Sequence, residues 1–306
     1  MTSTLRARVL DALPGYRQQE HRHDQLRAMH QNIPTAPGAF ANDYLERIAA
    51  AADNDGRDLD TLATSFATDR AAWAAAAEFN GLISQARDRA WHAMQSAEAT
   101  GAETALNFLR SELDTLAAEV NEHRTAVENH PNTAEQAIAT GTGQAQWNLV
   151  DGLISRYNEI RNEHRRYVKL QSDGNEPRGF VFVAQSAKFL EVDPYWLHRR
   201  AATNGRNSTD PAIAAWFASI GGAQTEYARN GIWPTMPRNR WLLTVTDNHP
   251  WLPDAATINA AYATADDLFT AGRTFRNAYE NAGHHRRLEQ LHQLGAITDC
   301  HTPAPA

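Results

Sequence analysis

Two runs of apolar residues, each stepping by three and four, dominate this chain. Leu106, Leu109, Leu113, Leu116, Val120, His123 and Val127 make the first. Val150, Leu153, Tyr157, Ile160, His164 and Tyr167 make the second. That spacing lines up side chains on one helical face, which must be buried against another element. Two breakers lie between the runs, His130-Pro131-Asn132 and Thr140-Gly-Thr-Gly143. Matched runs with a short connection predict an antiparallel helical hairpin, coiled-coil-like along its seam. Each arm of ~28 residues would extend about 42 Å at 1.5 Å per residue. Folding about the connection sets Leu106 beside Tyr167 or Val168, and Val127 beside Trp147. In that register His123 and His164 face Asp151 and Arg110, not each other. Each is therefore expected to be a packed histidine with a local partner.

The rest of the chain reads as helical at its start and aromatic towards its end. Residues 1–60 form two helical pieces around the breaker Ile33-Pro-Thr-Ala-Pro-Gly38. Asp60 is expected to cap a helix in which Phe66, Trp73, Ala76, Ile83, Ala90, Met94 and Ala97 recur at near-helical spacing. Thr100-Gly-Ala-Glu103 reads as a capping box that starts another helix, although Gly81 and Gly101 also fit one longer bent helix. Beyond the hinge-like Gln171–Pro177, five tryptophans (Trp196, Trp216, Trp233, Trp241 and Trp251) imply a core of their own. Phe180–Val183 and Trp241–Thr246 look like short strands, and Ala255–Leu294 like a last helix. The predicted fold is mainly α: a long antiparallel hairpin plus a Trp-rich, mostly helical C-terminal domain with one or two short strands. Its expected divisions are 1–60, 61–172, 178–300 and a disordered tail at 301–306.

Composition narrows the function classes. Apolar residues make up 42% of the 306 and charged residues 21%, which suits a folded protein rather than a disordered one. The longest apolar run, Ala71–Ala77, is far below the ~18 residues of a membrane span. The first residues carry no apolar stretch before their charges, so no secretory signal is expected and the protein is placed in the cytoplasm. A single cysteine, Cys300, excludes an internal disulfide and any multi-cysteine metal site. The formal charge is −7, yet it is unevenly spread. Residues 61–130 are strongly acidic, whereas 151–206 are net basic, so a polyanion would meet the chain in that middle stretch.

Within the basic stretch, residues 179–205 carry a pattern with chemical content. Asp193 can cap a helix with Pro194 at its first position, and Leu197 then faces inward. Ala187 and Leu190 would be the inward positions of a preceding helix, with Val192 plugging the turn between them. The segment resembles the helix-turn-helix of excisionase and MerR-type regulators. The resemblance covers under a tenth of the chain and implies that the second helix enters the major groove of DNA. Tyr195, His198 and Arg199 would then point toward the bases, and Arg200, Arg206 and Lys188 would meet phosphates. Glu191 stands where such turns commonly hold glycine, and Arg200 where an apolar side chain usually packs. No basic wing is recognisable after Asn204-Gly205.

Other chemistries have less to stand on. Glu20/His23 and Glu289/His292 have the Glu-x-x-His spacing of helical di-iron sites, where random placement gives about 0.7 such pairs, but the two further glutamate ligands of such a site are not assignable to helices. No Gly-x-Ser-x-Gly elbow is present, and Gly141-Thr-Gly143 has no lysine after it to make a phosphate loop. The sequence therefore favours a non-enzymatic DNA-binding protein with no cofactor or metal, using the hairpin for dimerisation or spacing. The competing expectation is a structural or assembly protein, of the kind encoded by phages and mobile elements, whose hairpin holds protein partners without DNA. A helical metalloenzyme is the third.

Overall fold

The computed structural model describes residues 4–33, 40–53, 58–131, 134–139, 143–189 and 237–274. Among these residues every regular element is a helix and there is no strand. Contacts divide the chain into two units, one of Leu13–Gly101 and one of Met1–Ala12 with Ala102–Ala306.

The Leu13–Gly101 unit is built on one long helix, α4 (Leu59–Thr100), to which α2 (Tyr16–Asn32) and α3 (Phe40–Asp53) attach. Alanine has the highest helix propensity, and α4 runs unbroken through the Ala71–Ala77 stretch and through Gly81. This resolves the two readings of Gly81 in favour of a single helix, which ends at Gly101. Its first residue is Leu59; the cap position is Asp58, without a side-chain capping bond, and Asp60 sits in the first turn. There its carboxylate meets the positive end of the helix dipole. The α2–α4 pair is hairpin-like, with His23 and Trp91 ring centroids 5.9 Å apart. The α3 helix lies further toward the start of α4, where the Tyr44 hydroxyl donates to Asp69 at 2.6 Å. Phe40, Tyr44 and Phe66 cluster beside that bond.

In the other unit the expected hairpin is present. Its arms are α5 (Ala102–Glu122) and α8 (Gly143–Leu170), packed along their lengths. Leu106, Leu109, Leu116 and Val120 on one arm and Tyr167 on the other are wholly buried. Leu113 and Leu153 are 2% exposed, so the seam is consumed inside the hairpin. The Arg156–Glu119 ion pair links the two arms, and the sum of its positions is within one of the antiparallel register read from the sequence. The first arm is not continuous to Val127. It stops at Glu122, and a short α6 (Arg124–Glu128) restarts after His123. A further short helix, α7 (Ala134–Ala139), occupies the connection. Helix α1 (Leu5–Ala12) packs on both arms, and Arg6 donates to Glu163 at 3.0 Å and to the Tyr167 hydroxyl at 2.7 Å.

Both expected strands are helical. Phe180–Val183 is a single helical turn, α9, and Trp241–Thr246 lies within α10 (Arg238–Asp247). The Val and Thr content of α10 imitates a strand, but Asn239, Leu242 and Leu243 bury one helical face. The Thr246 hydroxyl donates back to the Leu242 carbonyl at 3.0 Å, giving a polar β-branched residue a partner inside its own helix. The last described helix, α11, spans Ala255–Thr274; the remainder of the expected Ala255–Leu294 helix lies outside the described residues.

Between α10 and α11 the chain crosses the hairpin, and three successive carbonyls are held there. Arg161 donates to Trp251 O at 2.9 Å, Arg110 to Leu252 O at 3.0 Å, and His164 to Pro253 O at 2.7 Å. The Trp251 indole donates in turn to Val183 O at 2.8 Å, which ties α9 to the same crossing. This places α9 and α10 against the polar flank of α8.

Candidate functional site

The structure describes only the opening of the segment that resembles a helix-turn-helix. Where a first helix was expected, residues 184–188 run through turns after the single turn of α9. The reason is a set of bonds to the end of α10: Ser186 Oγ donates to Asn248 O at 2.6 Å, and Ala187 N donates to His249 O at 3.0 Å. Ala187 is thus fixed by its backbone rather than as an inward helical position. Lys188 is half-buried in this turn, with its amide donating to Ser186 Oγ at 3.0 Å. Tyr195, His198, Arg199, Arg200 and Arg206 lie outside the described residues.

At the opening of that segment the structure forms a cleft of about 220 Å³. One face of α8 supplies Tyr157, Asn158, Arg161, Asn162 and Arg165, a helical three-and-four spacing beside the buried seam. The opposite wall is α9 and the turn after it, through Phe180 and Gln185, and Trp241 of α10 closes one side. Tyr157 and Trp241 meet edge to face with centroids 5.2 Å apart.

Two guanidinium groups give the cleft its charge. Arg161 lies over the Tyr157 ring at 5.4 Å, and Arg165 lies over the Phe180 ring at 5.2 Å. Arg165 pairs through Nε with Glu176 at 3.1 Å, and Lys169 approaches the same carboxylate oxygen at 3.6 Å. Arg161 gives one terminal nitrogen to Trp251 O, while its other, Nη2, is buried with no acceptor. A buried donor left unmatched costs roughly 1–3 kcal/mol. No carboxylate appears among the described lining residues, and neither does an imidazole or thiol. The lining offers N–H donors and aromatic walls, which suits holding an anion rather than moving a proton.

Arg161 and Arg165 are not among the site residues expected from the sequence. The missed signal was that Asn158, Arg161, Asn162 and Arg165 form a polar stripe with no acidic member, bordering the seam.

The two seam histidines have separate environments. His164 is fully buried, and burial pushes its imidazole down to about 3, with the positive charges of Arg161 and Arg110 adding to the effect. His123 is half-buried at the cap position of α6. Of the Glu-x-x-His pairs, Glu20 is bonded by Arg17, and His23 rests beside Trp91 with Nδ1 3.4 Å from Asp24. Glu289 and His292 lie outside the described residues. Among the described residues no group of three or more His, Cys, Asp or Glu side chains is placed to hold a metal ion. Among the same residues no helix is long and apolar enough to cross a membrane. No family model matches the chain, and neither a curated protein nor a solved structure matches it.

Proposed function

We propose that this is a cytoplasmic, non-enzymatic DNA-binding protein in which a helix-turn-helix at about residues 184–204 is the contact segment and the helical hairpin serves dimerisation or spacing. Tyr195, His198 and Arg199 reach base edges, and Lys188, Arg200 and Arg206 anchor phosphates. The observation that carries this reading is the charge around the start of the segment. Arg165 and Lys169 share one carboxylate, Glu176, and among the described lining residues no carboxylate stands beside Arg161, so positive charge is in excess where Phe180–Gln185 lead into it.

The test is the fluorescence anisotropy of a labelled random duplex titrated with protein at two salt concentrations. Binding that weakens steeply with salt, and is lost in Arg199→Ala/Arg200→Ala with helicity unchanged, is the expected result. Absence of binding at micromolar protein and low salt overturns it.

A second reading, an assembly protein without DNA contact, is favoured by a different observation. The Leu13–Gly101 unit exposes Leu45 at 63%, Phe79 at 51% and Leu82 at 56%. Partner contacts would engage these side chains rather than the hairpin seam, whose Leu113 and Leu153 are already buried. Leu82→Glu abolishing self-association, with DNA binding absent, is the outcome that selects this reading.

A further inference from the structure

We infer that the cleft between α8, α9 and Trp241 is a seat for a single oxyanion, a phosphate or carboxylate group, with Arg161 and Arg165 as its cationic donors. The inference goes beyond DNA binding and stands without it. Three observations converge. First, the two arginines are four residues apart on α8, one helical turn, and both line the same cleft with no carboxylate among its described lining residues. Second, each guanidinium lies over an aromatic ring, Arg161 over Tyr157 and Arg165 over Phe180. A cation–π contact is made with the charge as a whole and does not consume N–H donors, so such an arginine can still donate to an acceptor. Third, Arg161 is anchored by its bond to Trp251 O with Nη2 closed off from solvent, while Arg165, its side chain 44% exposed, commits Nε to Glu176 and is the donor an incoming oxyanion can reach.

Size sets the class of ligand. About 220 Å³ is below the usual range for drug-sized ligands, so the cleft admits an oxyanion group and little of the molecule that carries it. Asn158 and Asn162 stand on the same helical face, with carboxamides able to donate to the remaining oxygens. The group could belong to a free small anion or to the backbone of a nucleic acid, and the chemistry of the seat is common to both.

The experiment titrates the full chain with sodium phosphate, and separately with sodium acetate, replacing sodium chloride at constant ionic strength. Tryptophan fluorescence and thermal melting are the readouts, because Trp241 forms one wall. A saturable response to at least one anion is expected, with apparent affinity reduced about tenfold or more in Arg165→Gln. Arg166→Gln, outside the lining, should bind as the wild type does. Arg161 also holds the Trp251 carbonyl, so Arg161→Lys is used there and its melting without anion is recorded first. No saturable response to either anion, or an unchanged response in Arg165→Gln, overturns the inference. Displacement of phosphate by a short duplex would make the backbone the source of the anion. Retained phosphate binding in Arg199→Ala/Arg200→Ala, without displacement by duplex, would make it a free anion. A protein that ignores DNA but binds phosphate keeps the seat and loses only the DNA reading.

Discussion

His164 on the hairpin and Pro253 in the crossing between α10 and α11 are joined by a 2.7 Å hydrogen bond that no solvent reaches. A carbonyl only accepts, so Nε2 carries the proton and donates, and Nδ1 is the bare nitrogen. Nδ1 is buried without a partner, so the neutral ring leaves one acceptor unsatisfied. Arg110 and Arg161 grip the two preceding carbonyls, which makes the crossing a continuous backbone clamp.

The clamp should fail in acid. Burial, with Arg161 and Arg110 nearby, holds His164 down to about 3, against about 6.5 in an unfolded chain. The unfolded state therefore binds more protons over that interval, and stability rises with pH across it. The contribution is complete above about pH 6.5 and is lost at up to about 1.4 kcal/mol per pH unit below it. Urea unfolding between about pH 7.5 and about pH 5 should show this slope in the wild type. His164→Gln keeps a donor for Pro253 but cannot titrate there, so its slope should be shallower. Equal slopes in the two proteins would remove His164 as the cause.

The hairpin was legible because its signal is a one-dimensional repeat. Leu106 to Val120 and Val150 to Tyr167 bury the face their spacing defines, and Arg156–Glu119 reports the register it predicts. The crossing was not legible, because its partners are backbone carbonyls whose capture by Arg110, Arg161 and His164 depends on residues some 90 to 140 positions away. Trp241–Thr246 was misread because its β-branched residues pack well in strands, while here burial of Leu242 and Leu243 decides for helix. The cleft was missed for a related reason: charge on a helix flank looks solvated until another element, here α9, is laid over it.

Gly179 should resist substitution for two separable reasons. Its φ of +75° is left-handed, and a Cβ there would stand 2.4 Å from Cδ2 of Tyr262 on α11. Gly179→Ala should cost about 1–3 kcal/mol in chemical unfolding. Part of that cost is steric and part conformational, so a cycle with Tyr262→Ala should show coupling between the two sites. Strictly additive effects would mean that the ring moves aside freely.

The seam and the exposed apolar residues should behave oppositely. Leu116→Ala removes a side chain with no solvent exposure and should destabilise by about 2–5 kcal/mol through lost burial and the cavity left behind. Leu82→Ala, at a side chain 56% exposed, should change stability by less than about 0.5 kcal/mol. A large loss at Leu82 in unfolding would show that this face is already covered in solution.

Arg124 and Asp247 form a two-pronged pair at 2.8 and 2.7 Å, joining the start of α6 to the end of α10. The Arg124 bonds hold the Asp247 carboxyl below its usual range. Here the proton-binding difference again favours the unfolded state in acid, but the window differs from that of His164. The contribution is complete above about pH 3.9 and fades as pH falls through the lower native value. Both side chains are about two-fifths exposed, so solvent screening keeps the pair's contribution small. Asp247→Asn should therefore destabilise only slightly in low salt, and less again near 1 M salt, where the screening length is about 3 Å. Between about pH 6.5 and about pH 5 it should leave the acid slope intact, because His164 alone of the two titrates differently there. A slope altered by Asp247→Asn in that interval would show that the two sites are coupled through α10 and the crossing beyond it.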